Sequence, residues 1–272
     1  MSTVRIVRDA QNEAQVHPHG ATLTSWKVDN QELSFVSKNA VYDGKKAIRG
    51  GIPIVFPNFG PWDLGPQHGF ARTSLWKVAK EPTVESGSAV AAFELEDSEQ
   101  TRAMWNNRFK LTYTVIVGDH QMETNLDIKN TGDTSFDFTT LLHTYFRVED
   151  VTKTTVDGLK GCKVFDKVHK ETRTEDRDLV KISSETDAVY ETTSQVHHIT
   201  GGPNGKTFTV TKKNLPDTVV WNPWAEKAKA MSDFGDDEYP YMICVEAGHV
   251  ASRCKLDPQQ TYSCGQTISI KD

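Results

Sequence analysis

Alternation of apolar and polar side chains constrains this chain more than any other feature. In "FKLTYTVIV", Phe109, Leu111, Tyr113, Val115 and Val117 fall on one side of an extended segment. A period of two places that set on one face of a strand, which can then be buried while the other face is wetted. The pattern recurs. "METNLDIKN" ends in the turn signal Asn130-Thr131-Gly132-Asp133, and "FDFTTLLHTYFRV" follows. "KTFTVTKK" and the terminal "QTISIKD" come later. Turn clusters separate the strands at Glu85-Ser86-Gly87-Ser88, Gly118-Asp119-His120 and Gly201-Gly202-Pro203-Asn204-Gly205. Many short strands with regular turns predict an all-β sandwich or barrel.

Helical signals are sparse. The best is "NPWAEKAKAMS", where Asn222 is placed to cap and Pro223 suits the first helical position, for two or three turns. No linker, repeat or low-complexity stretch divides the 272 residues, so one domain over 1–272 is expected. A chain of this size buries roughly three quarters of its unfolded surface, enough for a large core.

Charge and cysteine usage exclude several classes. The net charge of -6 argues against general affinity for nucleic acid or anionic membrane. No apolar run approaches the roughly 20 residues of a membrane span. "MSTVRIVRDAQNEA" lacks the apolar core of a signal peptide, so a cytoplasmic location is expected. Cys162, Cys244, Cys254 and Cys264 form no Cys-x-x-Cys pair and read as packing thiols. "GPNGKTF" is a hairpin turn, because Thr200 stands where a phosphate loop needs its first glycine. His17, His19, His197 and His198 lack a completed ligand set and read as surface histidines, so no metal and no cofactor are expected. Neither Gly-x-Ser-x-Gly nor His-Glu-x-x-His occurs.

Three places could carry chemistry. In "TTLLHTYFRV", Leu141, His143, Tyr145 and Arg147 share one strand face, which could line a polar groove or hold a merely hydrogen-bonded histidine. In "YMICVEAGHV", Met242, Cys244 and Glu246 share a face of an apolar strand. A carboxylate there is costly unless paired, and burial raises its pKa toward that of a general base; Glu246 is either that base or the partner of an arginine. In "IRGGIPIVFPNFGPWDLGPQHGFARTSLWKV", glycines and prolines frame Arg49, His68 and Arg72. Such loops position side chains, so the two arginines either clamp an anion or bind loop carbonyls.

Together, "RGGIPIVFPNFG", "QHGFARTSLWKV", "LLHTYFRV", "ETDAVY", "VVWNPWAEKAKAMSDF" and "CVEAGHV" resemble, in that order, the aldose 1-epimerase (mutarotase) superfamily. The nearer match is its hexose-6-phosphate branch, the glucose-6-phosphate 1-epimerases. The resemblance implies a large antiparallel β-sandwich of the galactose mutarotase-like type. It implies His143 as general acid, Glu246 as general base and Asp187 as the residue orienting a sugar hydroxyl. It also implies Arg49, Gln67 and Arg72 at the substrate, with the arginines on the phosphate; His68 lies beside them. The reaction implied is interconversion of the α and β anomers of glucose 6-phosphate by a monomer that needs no metal or cofactor. Two departures are local: the loop Asn58 to Gln67 is shorter than in some relatives, and Ala247 replaces a common proline. An epimerase of unphosphorylated aldoses, and a non-catalytic carbohydrate-binding protein on the same sandwich, are the alternatives. Trp62 and Trp224 could offer apolar surface to a sugar ring or pack in the core.

Overall fold

The structure, a computed structural model, describes residues 2–271; Met1 and Asp272, at the ends of two stretches quoted above, lie outside the described residues. Strands Phe109–Val117, Gln121–Asn130 and Thr261–Lys271 run side by side in a nine-stranded sheet. An eight-stranded sheet holds Phe136–Leu142, Tyr145–Arg147, Thr186–Glu191, Asp217–Asn222 and Met242–Leu256. Residues 4–32 add a four-stranded sheet. The named strands pair antiparallel throughout.

Burial along Phe109–Val117 alternates residue by residue, as its sequence demands. Leu111, Tyr113 and Val115 enter one apolar core together with Ile243, Val245 and Ala247 of the other large sheet. Each such side chain contributes about 1.5–3 kcal/mol on burial. The opposite face of the eight-stranded sheet is different. There Met242 and Cys244 join Tyr145 and Trp221 in a small cluster, while Leu141, Val189 and Val219 form another. Glu246 is on the same face as Met242 and Cys244, because residues two apart on a strand point the same way.

The segment "FDFTTLLHTYFRV" is interrupted at His143 and Thr144. Its face parity nonetheless persists: Leu142, Phe146 and Val148 enter the main core, while Leu141 and Tyr145 point to the other side. Leu142 pairs with Ala247 and Tyr145 with Cys244, so His143 and Thr144 stand opposite Glu246 and Val245.

Three expectations are corrected. The helix is Trp224–Lys229, six residues and under two turns, and Asn222 does not cap it in the expected way. Asn222 ends a strand; its Nδ2 donates to Tyr239 O and Met242 O, while its Oδ1 accepts from Trp224 N. Pro223 precedes the helix instead of opening it. Three of the four supposed surface histidines are buried: His17, His19 and His197. Local carbonyls and hydroxyls satisfy them: His19 Nε2 meets Lys46 O, and His197 bridges Asp157 O and Thr218 Oγ1. The cysteines are free thiols, two buried and two partly buried.

Candidate active site

The glycine-rich loop folds back on itself and brings its two ends to one cavity. Gly51, at φ 66°, lies so close to Leu23 O that a Cβ would sit 1.8 Å from it. Gly69, at φ 72°, approaches Phe56 O in the same way. Only glycine fits such contacts. Phe56 O then accepts from the amides of both Phe70 and Ala71, and His68 N donates to Gly60 O. Arg49, Gln67, His68 and Arg72 thereby reach a cavity of about 240 Å³ over the outer face of the eight-stranded sheet. His143, Asp187 and Glu246 line it as well, so all seven predicted site residues meet there.

His143 and Glu246 are neighbours on one wall, with Nδ1 and Oε1 3.5 Å apart. This adjacency follows from the strand register given above. The His143 ring stacks on Tyr145, with centroids 4.8 Å apart, and meets the edge of Trp221. His143 Nδ1 and Glu246 Oε2 are both buried without a hydrogen-bond partner. Burial, reinforced by Asp187, pushes the Glu246 carboxyl well up against the opposing pull of Lys167 and Arg72. Burial, helped by His68, Arg72 and Arg49, pushes His143 well down. Both shifts act in one sense: burial disfavours the charged carboxylate and the charged imidazolium alike.

The cations differ in how they are occupied. Arg49 meets Asp233 at 3.2 Å and Tyr145 Oη at 3.3 Å. Although burial opposes its charge, these two oxygens hold Arg49 firmly protonated. Lys167 pairs with Asp187 at 3.1 Å, and Lys227 with Glu185 at 2.9 Å. Arg72 donates to the backbone oxygen of Gln67 at 2.9 Å, its Nε is buried without a partner, and among the described residues no carboxylate pairs with it. Burial lowers it to about 10, yet a guanidinium stays charged near neutrality. His68, at φ 67°, accepts from Gly60 N at Nδ1 and is driven to about 3 by burial and then by Arg72, Lys167 and Arg49. It is a fixed neutral ring whose other nitrogen faces the exposed Gln67 amide.

Sequence reasoning missed part of this lining. Lys167 closes on Asp187 from another strand's end, with no local signal. Trp221, Lys227, Met231 and Asp233 all lie inside "VVWNPWAEKAKAMSDF", a motif noted above without roles for its members. Phe59, Val219 and Trp221 supply the apolar surface. Trp62 and Trp224 instead pack against the main core.

Comparison with known proteins bears on the family and the fold. The aldose 1-epimerase family profile matches residues 2–269. A protein of Cenchrus ciliaris named "Putative glucose-6-phosphate 1-epimerase" is 39% identical over 267 residues, covering 94% of this chain and 81% of its own. An Escherichia coli protein of the same name is 31% identical, with 97% and 89% covered. A crystal structure from Salmonella typhimurium described as "a putative mutarotase" superposes with a TM-score of 0.89 at 30% identity, covering 97% of this chain and 88% of that one.

Proposed function

The chain belongs to the aldose 1-epimerase family and is a carbohydrate epimerase, and from that premise we propose that it interconverts the α and β anomers of glucose 6-phosphate. Anomerisation requires a proton to leave the C1 hydroxyl while another reaches the ring oxygen. Both oxygens are bonded to the same carbon, so an acid and a base side by side can serve both. The observation that carries this reading is the His143–Glu246 pair, 3.5 Å apart with partnerless buried atoms, in a cavity that Arg72 also lines.

In the proposed cycle Glu246 takes the C1 hydroxyl proton and His143 protonates the ring oxygen. The open aldehyde rotates about C1–C2 and closes on the other face with the two roles exchanged. Opening demands the carboxylate–imidazolium form of the pair, whereas burial favours the neutral form when the cavity is empty. A phosphate dianion offsets this. Arg72 and Arg49 help depress His143, so neutralising them raises the imidazole toward protonation. Phosphate binding and acid activation are thus linked through the same two arginines. Asp187 is proposed to orient a sugar hydroxyl, with Gln67 and His68 contacting the substrate between the acid and the phosphate.

Arg72 supports a phosphorylated substrate because, among the described residues, its half-buried guanidinium has a hydrogen bond only to a backbone oxygen and its Nε is buried without a partner. A free hexose is the second reading, favoured by the pairing of Arg49, Lys167 and Lys227 with carboxylates. The deciding measurement is relaxation of freshly dissolved α-glucose 6-phosphate and α-glucose to anomeric equilibrium, followed by polarimetry or NMR. Acceleration of the phosphosugar above buffer, lost in Arg72→Ala, is the expected result. No acceleration of either sugar would overturn the enzymatic reading.

A further inference from the structure

The acid–base wall carries a third group that the proposed reaction does not use. Cys244 is fully buried, two residues before Glu246 on the same strand face, and pairs across the sheet with Tyr145. Its Sγ, one ring nitrogen of His143 and a carboxylate oxygen of Glu246 all lie within 4.8 Å of one another. Nitrogen, thiolate and carboxylate are the donor types zinc selects. Two ligands at zinc–nitrogen and zinc–oxygen distances of roughly 2.0–2.2 Å stand about 3.4 Å apart across a tetrahedral angle. His143 Nδ1 and Glu246 Oε1 stand 3.5 Å apart, while the Cys244 thiol, at up to 4.8 Å from a partner atom, closes by about 1 Å on binding. A second observation points to a ligand: His143 Nδ1 and Glu246 Oε2 are buried polar atoms with no partner. Sequence spacing could not show the set, because His143 lies between two strands about a hundred residues upstream.

We propose that His143, Cys244 and Glu246 form a three-ligand site for a soft divalent cation of the zinc type, whose fourth position opens into the cavity. The cation is an inhibitor. It occupies the imidazole and carboxylate that the epimerase reaction needs, and its open position holds water where the sugar would stand. Coordination uses the thiolate and carboxylate forms, so any protons on these groups leave to solvent. Arg49 and Arg72 oppose its approach; the thiolate and carboxylate ligands together balance its two charges. A phosphorylated sugar bound by the arginines excludes it by occupying the same space.

Cd2+ is the probe, since its thiolate complexes absorb in the near ultraviolet. The titration uses a chain with the two partly exposed cysteines replaced, Cys162→Ser and Cys254→Ser. One equivalent of Cd2+ is expected to develop the charge-transfer band, and a further Cys244→Ser or His143→Gln to abolish it. Zn2+ is expected to inhibit anomerisation competitively with the sugar phosphate. Losing a ligand should weaken Zn2+ by more than the about 10–100-fold that loss of an outer-shell partner costs. The metal-free rate of Cys244→Ser should be unchanged. A missing band, a band that survives Cys244→Ser, or equal Zn2+ inhibition of both proteins overturns the proposal. The Cd2+ arm does not depend on the epimerase reading: a Cys244-dependent band in a protein that anomerises nothing would keep the site and refute the reaction.

Discussion

Two glutamates in this molecule are both shut off from solvent and have opposite chemistry, Glu246 lying in much deeper surroundings than Glu175. Glu175 and Glu246 each expose 1% of their surface. Glu175 is fully partnered: Arg177 donates to both oxygens at 2.7 Å, and Tyr190 Oη and Arg173 add further bonds. Burial pushes its pKa up, but those donors outweigh it and hold it at about 2. Glu246 has only His143 beside it and one oxygen with no partner, and burial wins. Their arginines differ likewise. Arg177 clasps its carboxylate, whereas Arg72 stands near Glu246 without bonding to it. Burial alone therefore does not mark a reactive carboxylate. Burial with unmet hydrogen bonds does, because a satisfied ion is content to stay ionised and an unsatisfied one is poised to exchange a proton.

The largest expected break in this contrast is Glu246→Gln. It should lower the anomerisation rate by about 10²–10⁴-fold, the usual worth of general acid–base help. Normal activity in that variant would remove Glu246 from the mechanism. Arg72→Ala should raise KM for glucose 6-phosphate by about 10–100-fold, from the roughly 1.5–3 kcal/mol of a charge-assisted hydrogen bond, and leave free glucose little changed. Glu175→Gln should do the reverse of Glu246→Gln, costing about 2 kcal/mol of stability by loss of charged hydrogen bonds with the rate intact. Denaturant unfolding and polarimetry on both variants test the pair together.

Stability against pH sharpens the comparison with a difference in sign. The folded-state pKa of Glu175 lies at about 2, below its ordinary 4.5. Its contribution is complete above 4.5 and is lost as pH falls toward 2. Glu246 is raised above 4.5. Above that pH the unfolded chain ionises and the folded chain resists, so its contribution turns unfavourable as pH rises. Glu175→Gln should therefore flatten acid unfolding between about pH 4.5 and 2, while Glu246→Gln should hold or raise stability at neutral pH. The smallest effect concerns Arg49. Asp233→Asn should free its guanidinium and tighten inorganic phosphate binding about two- to fivefold, the scale of a partly exposed ion pair of 0.2–1 kcal/mol, as read by calorimetry.

Much of the contrast was legible before any coordinates. Apolar "YMICVEAGHV" marked Glu246 as an unusual carboxylate, and strand parity put Cys244 on its face. Glu175 carried no such mark, standing in the charged stretch "TRTEDRD". Its burial arises only when Arg173, Arg177 and Tyr190 close over it. Buried His19 and His197 escaped for the same reason, since their partners are backbone and hydroxyl oxygens from other segments, whereas His17 Nδ1 accepts from the nearby His19 amide.

The sequence by itself determined the strands, their inward faces and the rigid loop around Arg49 and Arg72, because alternation and glycine or proline conformations are properties of neighbouring residues. It also carried the family, through short motifs in fixed order. Only the tertiary structure decided that His143 faces Glu246 at 3.5 Å, that Asp233 occupies Arg49, and that among the described residues no carboxylate pairs with Arg72. Those facts depend on strand register and on loop closure between segments about 100 to 200 residues apart. Long-range distances of that kind decide which charges are spent on holding the fold and which remain for a substrate.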